Sequence, residues 1–363
     1  MRVAEAALLI PAVNVLTLLM GCLDAVSERS LYHDNFSPGN MSLPIVSYQA
    51  GLHLNLQVSG LFIQQKCLVY QQWLQRNWPV DTPETGTQRS TSMITIDTGT
   101  DELLCHIDDR VAVITLNKPH KKNALGDILT PALRNTLLLV EQDDRVGCVM
   151  ITGSGDAFCS GGDVSGMGAS SGQPRSTQER IAELTLKQET LTLRLYELDK
   201  ITVAALPGAA AGAGLSIALA CDLRVAAKRA FVTTAFRNIG LSGDYGGSWL
   251  LPRLIGLARA KELYYTGQRV SSEQAVQLGL VNRVFDDETF REDAQAYASE
   301  IANGPSGALS RMKVNLNQGL DQGLRESLVL EARHLVESGN SNEAQEAITA
   351  FMEKRPPIFH ADR

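Results

Sequence analysis

The sequence predicts an α/β protein of repeated strand–strand–helix units closed by a helical tail. Three observations carry that expectation. Short apolar runs alternate with amphipathic helical segments from residue 93 onward. Glycine-rich turns follow two of those runs. Beyond Gly243 the pattern is helical almost to the C-terminus.

Val111–Leu116 is apolar but for Thr115 and reads as a buried strand, followed by an amphipathic helix over 128–140. Residues 146–152 form a second buried strand ending in the turn at 153–155. A polar insertion at 169–176 precedes a helix running to about Leu198. Ile201–Leu206 is the next strand, broken by Pro207-Gly208. The small-residue run 214–221 reads as a helix and 223–226 as a strand; breaks at Gly267, Gly304-Pro305 and Gly339 divide the tail.

Residues 1–92 are unlike the rest. They hold 5 Lys/Arg and 6 Asp/Glu, against 28 and 34 in the remaining 271 residues, and no period settles in them. The apolar run 6–22 has the look of a signal core. Glu5, Pro11 and Asn14 interrupt it, Arg2 is its only basic flank, and it is short for a membrane span. We therefore expect three regions: an irregular extension of unknown role at 1–92, a folded core over 93–285 and a helical region over 286–363. No stable membrane insertion is expected.

Of the 363 residues, 44% are hydrophobic and 20% charged, which suits a globular chain of at most two domains. A net charge of −7 provides no basic field for nucleic acid. Six cysteines (Cys22, Cys67, Cys105, Cys148, Cys159 and Cys221) form no CxxC pair. They read as buried thiols in a reducing, cytoplasmic setting, with no metal site expected.

The chemistry is expected at two turns. One is Phe158-Cys159-Ser160-Gly161-Gly162-Asp163; the other runs from Gly208 through Gly212-Ala213-Gly214 into a helix. Small residues let backbone approach a ligand, and a helix start presents free N–H groups and partial positive charge. Two such donors from separate loops would suit a thioester oxygen that becomes an enolate. Each turn taken alone is equally readable as tight strand–helix contact. A dinucleotide fingerprint fails because position 217 is Ile, and a nucleophile elbow fails around Ser216. On residue chemistry Asp244 reads as an N-cap, and Asp163 and Asp222 sit at element ends. None of the six histidines adjoins either turn.

Five motifs occur in order: Asn117-Lys118-Pro119-His120-Lys121-Lys122-Asn123-Ala124-Leu125, the 158–163 turn, the 208–222 segment, V-S-S-E-Q-A-V-Q-L-G-L-V at 270–281, and F-M-E-K-R-P-P-I-F at 351–359. From about residue 100 to the end the chain resembles the crotonase, or enoyl-CoA hydratase/isomerase, family. The resemblance implies a crotonase-like spiral of ββα units with a C-terminal trimerisation region, assembly as a homotrimer or hexamer, and an acyl-CoA thioester substrate. CoA would be part of the substrate, with no separate cofactor.

It further implies that the backbone N–H groups of Gly162 and Ala213 form the oxyanion site. Lys118, Lys122, Ala124, Leu125, Ser160, Asp163, Gly212, Phe236 and Trp249 would contact substrate, Phe236 and Trp249 as an apolar wall. Lys313 would meet a CoA phosphate, and 169–176 would form part of the pocket rim. The two glutamates of the family's hydratases fall at Ser216 and Phe236 here, so both acids are missing. Asp244 stands where several family isomerases carry an essential acid, which reverses the N-cap reading. The resemblance thus implies a double-bond shift through Asp244, with hydration and a non-catalytic CoA-binding role as the alternatives.

Overall fold

The computed structural model describes residues 93–163 and 176–360. The expected extension at 1–92 and most of the expected pocket rim, residues 169–175, lie outside the described residues.

The chain opens with β1 (Ile94–Ile96), β2 (Leu103–Asp108) and β3 (Val111–Leu116), an antiparallel meander. Helix α1 (Leu129–Gln142) then leads to β4 (Cys148–Gly153), which is buried at all six positions. An apolar strand without alternation is what a sheet covered on both faces requires. From β4 onward the strands come in pairs. β4 is followed by β5 (Ala157–Cys159), β6 (Ile201–Leu206) by β7 (Ala209–Ala211), and β8 (Leu223–Ala227) by β9 (Phe231–Thr233).

The first strand of each pair joins a seven-stranded sheet ordered β1-β2-β3-β4-β6-β8 and closed by residues 283–285, parallel from β3 onward. The second joins a four-stranded sheet in which residues 270–271 flank β9-β7-β5. A helix follows each pair. After β5 comes α2 (Thr177–Gln188), continued by a π-helical turn (Glu189–Leu193) and a last turn (Arg194–Glu197). After β7 comes α3 (Ala213–Ala220); after β9 come α4 (Gly247–Ile255) and α5 (Leu257–Thr266). This is the expected ββα progression. Two strands inside the tail were not expected: β10 (Val270–Ser271), leading into α6 (Ser272–Gln277), and β11 (Arg283–Phe285), which extends the large sheet beside β8.

Four helices follow: α7 (Phe290–Ala302), α8 (Ser306–Gly319), α9 (Leu324–Gly339) and α10 (Asn342–Glu353). Phe290, Ala294, Ala298 and Ala302 on α7 pack against Val113, Met150, Val203 and Val225, closing one face of the large sheet. The main core lies on the other face, where Leu129, Leu133 and Leu137 of α1 meet Ile114, Ile151 and Leu206. Helix α3 is buried at every position, so its start is fixed by contact on all sides.

Candidate active site

The first turn is laid against the 118–125 stretch by backbone hydrogen bonds. Ser160 N donates to Lys122 O (3.0 Å), Leu125 N to Gly161 O (2.8 Å) and Asp163 N to Leu125 O (2.8 Å). In this parallel bridge Leu125 bonds the residues flanking Gly162, leaving Gly162's own N–H turned to the opposite side. Asn123, fully buried, ties the stretch down by donating to Ser154 O and Ala157 O while accepting from Lys118 N. It holds φ +56, a left-handed conformation that Asn tolerates.

The second turn meets the first directly. Gly161 holds φ +100, and a Cβ there would lie 3.1 Å from Ala211 O and 3.6 Å from Ala213 N. A Cβ on Gly214 would come 2.4 Å from Cys159 O. Both glycines are required by this close approach. Ala213 is the first residue of α3, so its N–H has no intrahelical acceptor. Among the described residues neither the Gly162 nor the Ala213 N–H finds a hydrogen-bond partner. Two unpaired donors on adjoining turns can hold one oxyanion.

Asp244 lies on the loop before α4. It is not the N-cap: Gly246 takes that place with φ +78, and no side chain caps the helix. Its carboxyl is drawn inward instead, with Oδ1 buried and unpartnered. Burial alone raises its pKa to about 6. The loop is held against α3 and α5, since a Cβ on Gly247 would lie 2.5 Å from Ser216 Oγ and 2.7 Å from the Tyr264 hydroxyl. Phe236 spans the gap between turn and loop. Its ring is 3.6 Å from the Cβ position of Gly212 and 3.7 Å from that of Gly243, and it stacks on Tyr264 at 6.2 Å and 8°. Phe236 therefore presents an apolar ring between the second turn and the Asp244 loop.

A cavity of about 610 Å³ adjoins these turns, lined by Lys122, Ser160, Ala211, Arg229, Asn238 and Arg269 among others. Residues 106–362 match the family model described as enoyl-CoA hydratase/isomerase. The chain belongs to the enoyl-CoA hydratase/isomerase family.

Among relatives, 1,2-epoxyphenylacetyl-CoA isomerase of Escherichia coli K12 is 36% identical over 257 residues, covering 71% of this chain and 97% of that one. Short-chain-enoyl-CoA hydratase of Clostridium acetobutylicum is 30% identical, with 68% and 93% covered. The crystal structure of enoyl-CoA hydratase from Bacillus anthracis superposes with a TM-score of 0.67 at 29% identity, covering 72% of this chain and all of that one. The fold is thus the crotonase fold of this family.

Two family-derived expectations need correction. Trp249 does not join the wall beside Asp244. It lies edge-on to Tyr196 at 5.3 Å under the Arg253 guanidinium, lining a separate groove against α8. Trp249 is the third residue of α4, and its ring packs on Tyr196 while Phe236 packs on Tyr264. Nor is Lys313 open to a phosphate. It is buried, with Nζ 2.9 Å from Asp222 Oδ2 and within reach of Leu195 O and Lys200 O.

The channel lysines are engaged as well: Lys118 with Glu102 (3.1 Å), Lys121 with Asp163 (2.7 Å) and Lys122 with Asp156 (2.7 Å). Asp163 therefore acts toward Lys121, and Leu125 and Ala124 contribute backbone from buried positions. Tyr264 and Tyr245 beside Asp244 were not anticipated. Aromatic residues at helical spacing read as core, and only the fold brings them to the carboxyl. The Tyr264 phenol is raised to about 12 by burial and by the Asp244 charge.

Proposed function

We propose that the chain is an enoyl-CoA isomerase that moves a carbon–carbon double bond by proton transfer through Asp244. The observation that carries this reading is an inward carboxyl with an unpartnered oxygen, on a loop joined by the Phe236 ring to the turn that bears the free Ala213 N–H, with Ser216 and Phe236 at the places of the family's hydratase glutamates. The thioester oxygen of a 3-enoyl-CoA sits between the Gly162 and Ala213 N–H groups. Asp244 removes a proton from C2, the electrons pass to the thioester oxygen as an enolate, and the same carboxyl returns the proton at C4. The double bond then lies between C2 and C3, and the carboxylate is regenerated.

A raised carboxyl pKa makes the better base at neutral pH, and each oxyanion donor is worth about 3 kcal/mol of barrier. Arg229 and Arg269, which line the cavity, supply positive charge for the CoA end of the substrate. CoA enters as part of the substrate. A homotrimer or pair of trimers would cover the apolar residues exposed on α8, α9 and α10. The buried free thiols Cys105, Cys148, Cys159 and Cys221 accord with a cytoplasmic setting.

The test supplies the full chain with a 3-enoyl-CoA and the matching 2-enoyl-CoA, following conjugation by absorbance and 3-hydroxyacyl-CoA by chromatography. Conjugated product without hydroxylation is expected, lost in Asp244→Asn with binding retained. Hydroxylated product would make the chain a hydratase. Binding without turnover would make it a CoA-binding protein.

A further inference from the structure

Asp244 Oδ1 is buried and takes no hydrogen bond, so the carboxyl is placed by the backbone that carries it. That backbone is unusual. Gly243 (φ +111), Tyr245 (φ +51) and Gly246 (φ +78) flank Asp244 in left-handed conformations. For a buried aromatic residue such as Tyr245 this is a true outlier, which persists only where the surroundings over-determine it.

The surroundings that do so are α2 and its π-helical turn. The Tyr245 N–H donates to Gln188 Oε1 (2.7 Å), and the Tyr245 carbonyl accepts from Thr192 Oγ1 (3.2 Å). Gln188 Nε2 donates to Leu184 O (3.4 Å), which turns the amide oxygen toward the loop. Thr192 Cγ2 lies 3.1 Å from the Cβ position of Gly246, so the same side chain also packs on the next link of the loop. Gln188 ends α2 and Thr192 lies in the π-helical turn Glu189–Leu193; four residues apart, they share one helix face. Both backbone groups of the strained residue are thus claimed by one element. That turn also contacts α3, whose first residue, Ala213, offers an oxyanion N–H. A π-bulge inside an α-helix occurs frequently at functional sites.

We infer that Gln188 is a positioning residue for the proton shift: with Thr192 it clamps the backbone of Tyr245 and so holds the Asp244 carboxyl turned inward beside the acyl group. This rests on the isomerase reading above and adds to it the residues that keep the base in place. Without the Gln188 acceptor the Tyr245 N–H must find water. The loop then moves outward, and the carboxyl leaves its place while the oxyanion turns stay intact.

Three variants of the full chain test this. Gln188→Met keeps the length and removes the acceptor, Thr192→Val keeps the shape and removes the donor, and Gln188→Glu keeps an acceptor in place. With a 3-enoyl-CoA, Gln188→Met should lower kcat at least about tenfold with KM within about threefold. Gln188→Glu should recover most of that loss. Burial is the only cause of the Asp244 shift to about 6, and the ionisable groups that feel its charge are the Tyr245 and Tyr264 phenols. A carboxyl released to water ionises more readily, so the acid limb of kcat/KM should move to lower pH in Gln188→Met and not in Gln188→Glu. Asp244→Asn should also raise the urea midpoint at pH 7.5 less in the Gln188→Met chain than in the wild type. If Gln188→Met does not fold, Thr192→Val carries the same comparisons. An acid limb that stays in place, or an undiminished gain from Asp244→Asn, overturns the inference whether or not kcat falls. A wild-type chain that moves no double bond removes the isomerase reading alone; the urea comparison needs no turnover and still decides whether Gln188 holds Asp244.

Discussion

At the residue scale, the decisive quantity is the cost of ionising Asp244. With no hydrogen bond to Oδ1 and burial as the sole cause, its pKa stands at about 6, above the carboxylate norm of 3.8. The folded state therefore holds a proton that the unfolded state releases, so between about pH 4 and pH 6 stability falls as pH rises. Asp244→Asn is expected to raise the urea midpoint at pH 7.5 and to lose most of that advantage at pH 4, where the wild-type carboxyl is neutral. Paired denaturation curves at the two pH values check it. The same group must be ionised to act as a base, so kcat/KM should fall on the acid side with a midpoint near 6. The asparagine variant should lose about 10²–10⁴-fold in kcat. Asp244 was legible in the sequence by its place among ordered motifs. Its orientation was not, because an Asp before a helix is equally suited to capping.

At the scale of elements, the site is a meeting of short pieces whose glycines permit contact. Gly214 lets α3 sit on β5; its Cβ would meet backbone at Cys159, which cannot rotate away. Gly214→Ala should cost about 1–3 kcal/mol of stability and lower kcat more than it raises KM, because the Ala213 N–H moves with the helix. Gly247→Ala should be milder in stability, since it meets the side-chain oxygens of Ser216 and Tyr264, yet it should displace the Asp244 loop. Adding Ser216→Ala to it should recover part of the lost kcat, as measured by steady-state kinetics. The long buried strands Val111–Leu116 and Ile201–Leu206 were readable because five apolar residues in six have few other uses. β5, β7 and β9 have three residues each; no period fits in three residues, and their pairing is set by neighbours distant in sequence.

Across the whole molecule, α8 is joined to the large sheet by the Lys313–Asp222 pair, whose carboxylate also accepts from Thr202 N and Oγ1. Lys313→Met should destabilise the protein by about 3 kcal/mol by leaving Asp222 without its cation, with little salt dependence in the wild type because the pair is sheltered; chemical denaturation at two ionic strengths tests both. The outer helices carry exposed Leu324 (77%), Leu335 (75%) and Phe351 (81%). Apolar side chains at that density mark a surface that a second copy can cover. Sedimentation velocity should find an oligomer, and Leu335→Asp with Phe351→Asp should shift it toward monomer.

By itself the sequence determined the ββα order and the two glycine turns, because each is written in local composition and spacing; Asp244 was singled out only by its place among the ordered family motifs. Which groups face one another was decided only in three dimensions. Lys313 turned from an open cation into a buried ion pair, Trp249 went to another groove, and Tyr245 and Tyr264 came to lie beside Asp244. Side-chain direction and burial depend on helices and strands packed from far along the chain, and no window of sequence contains those neighbours.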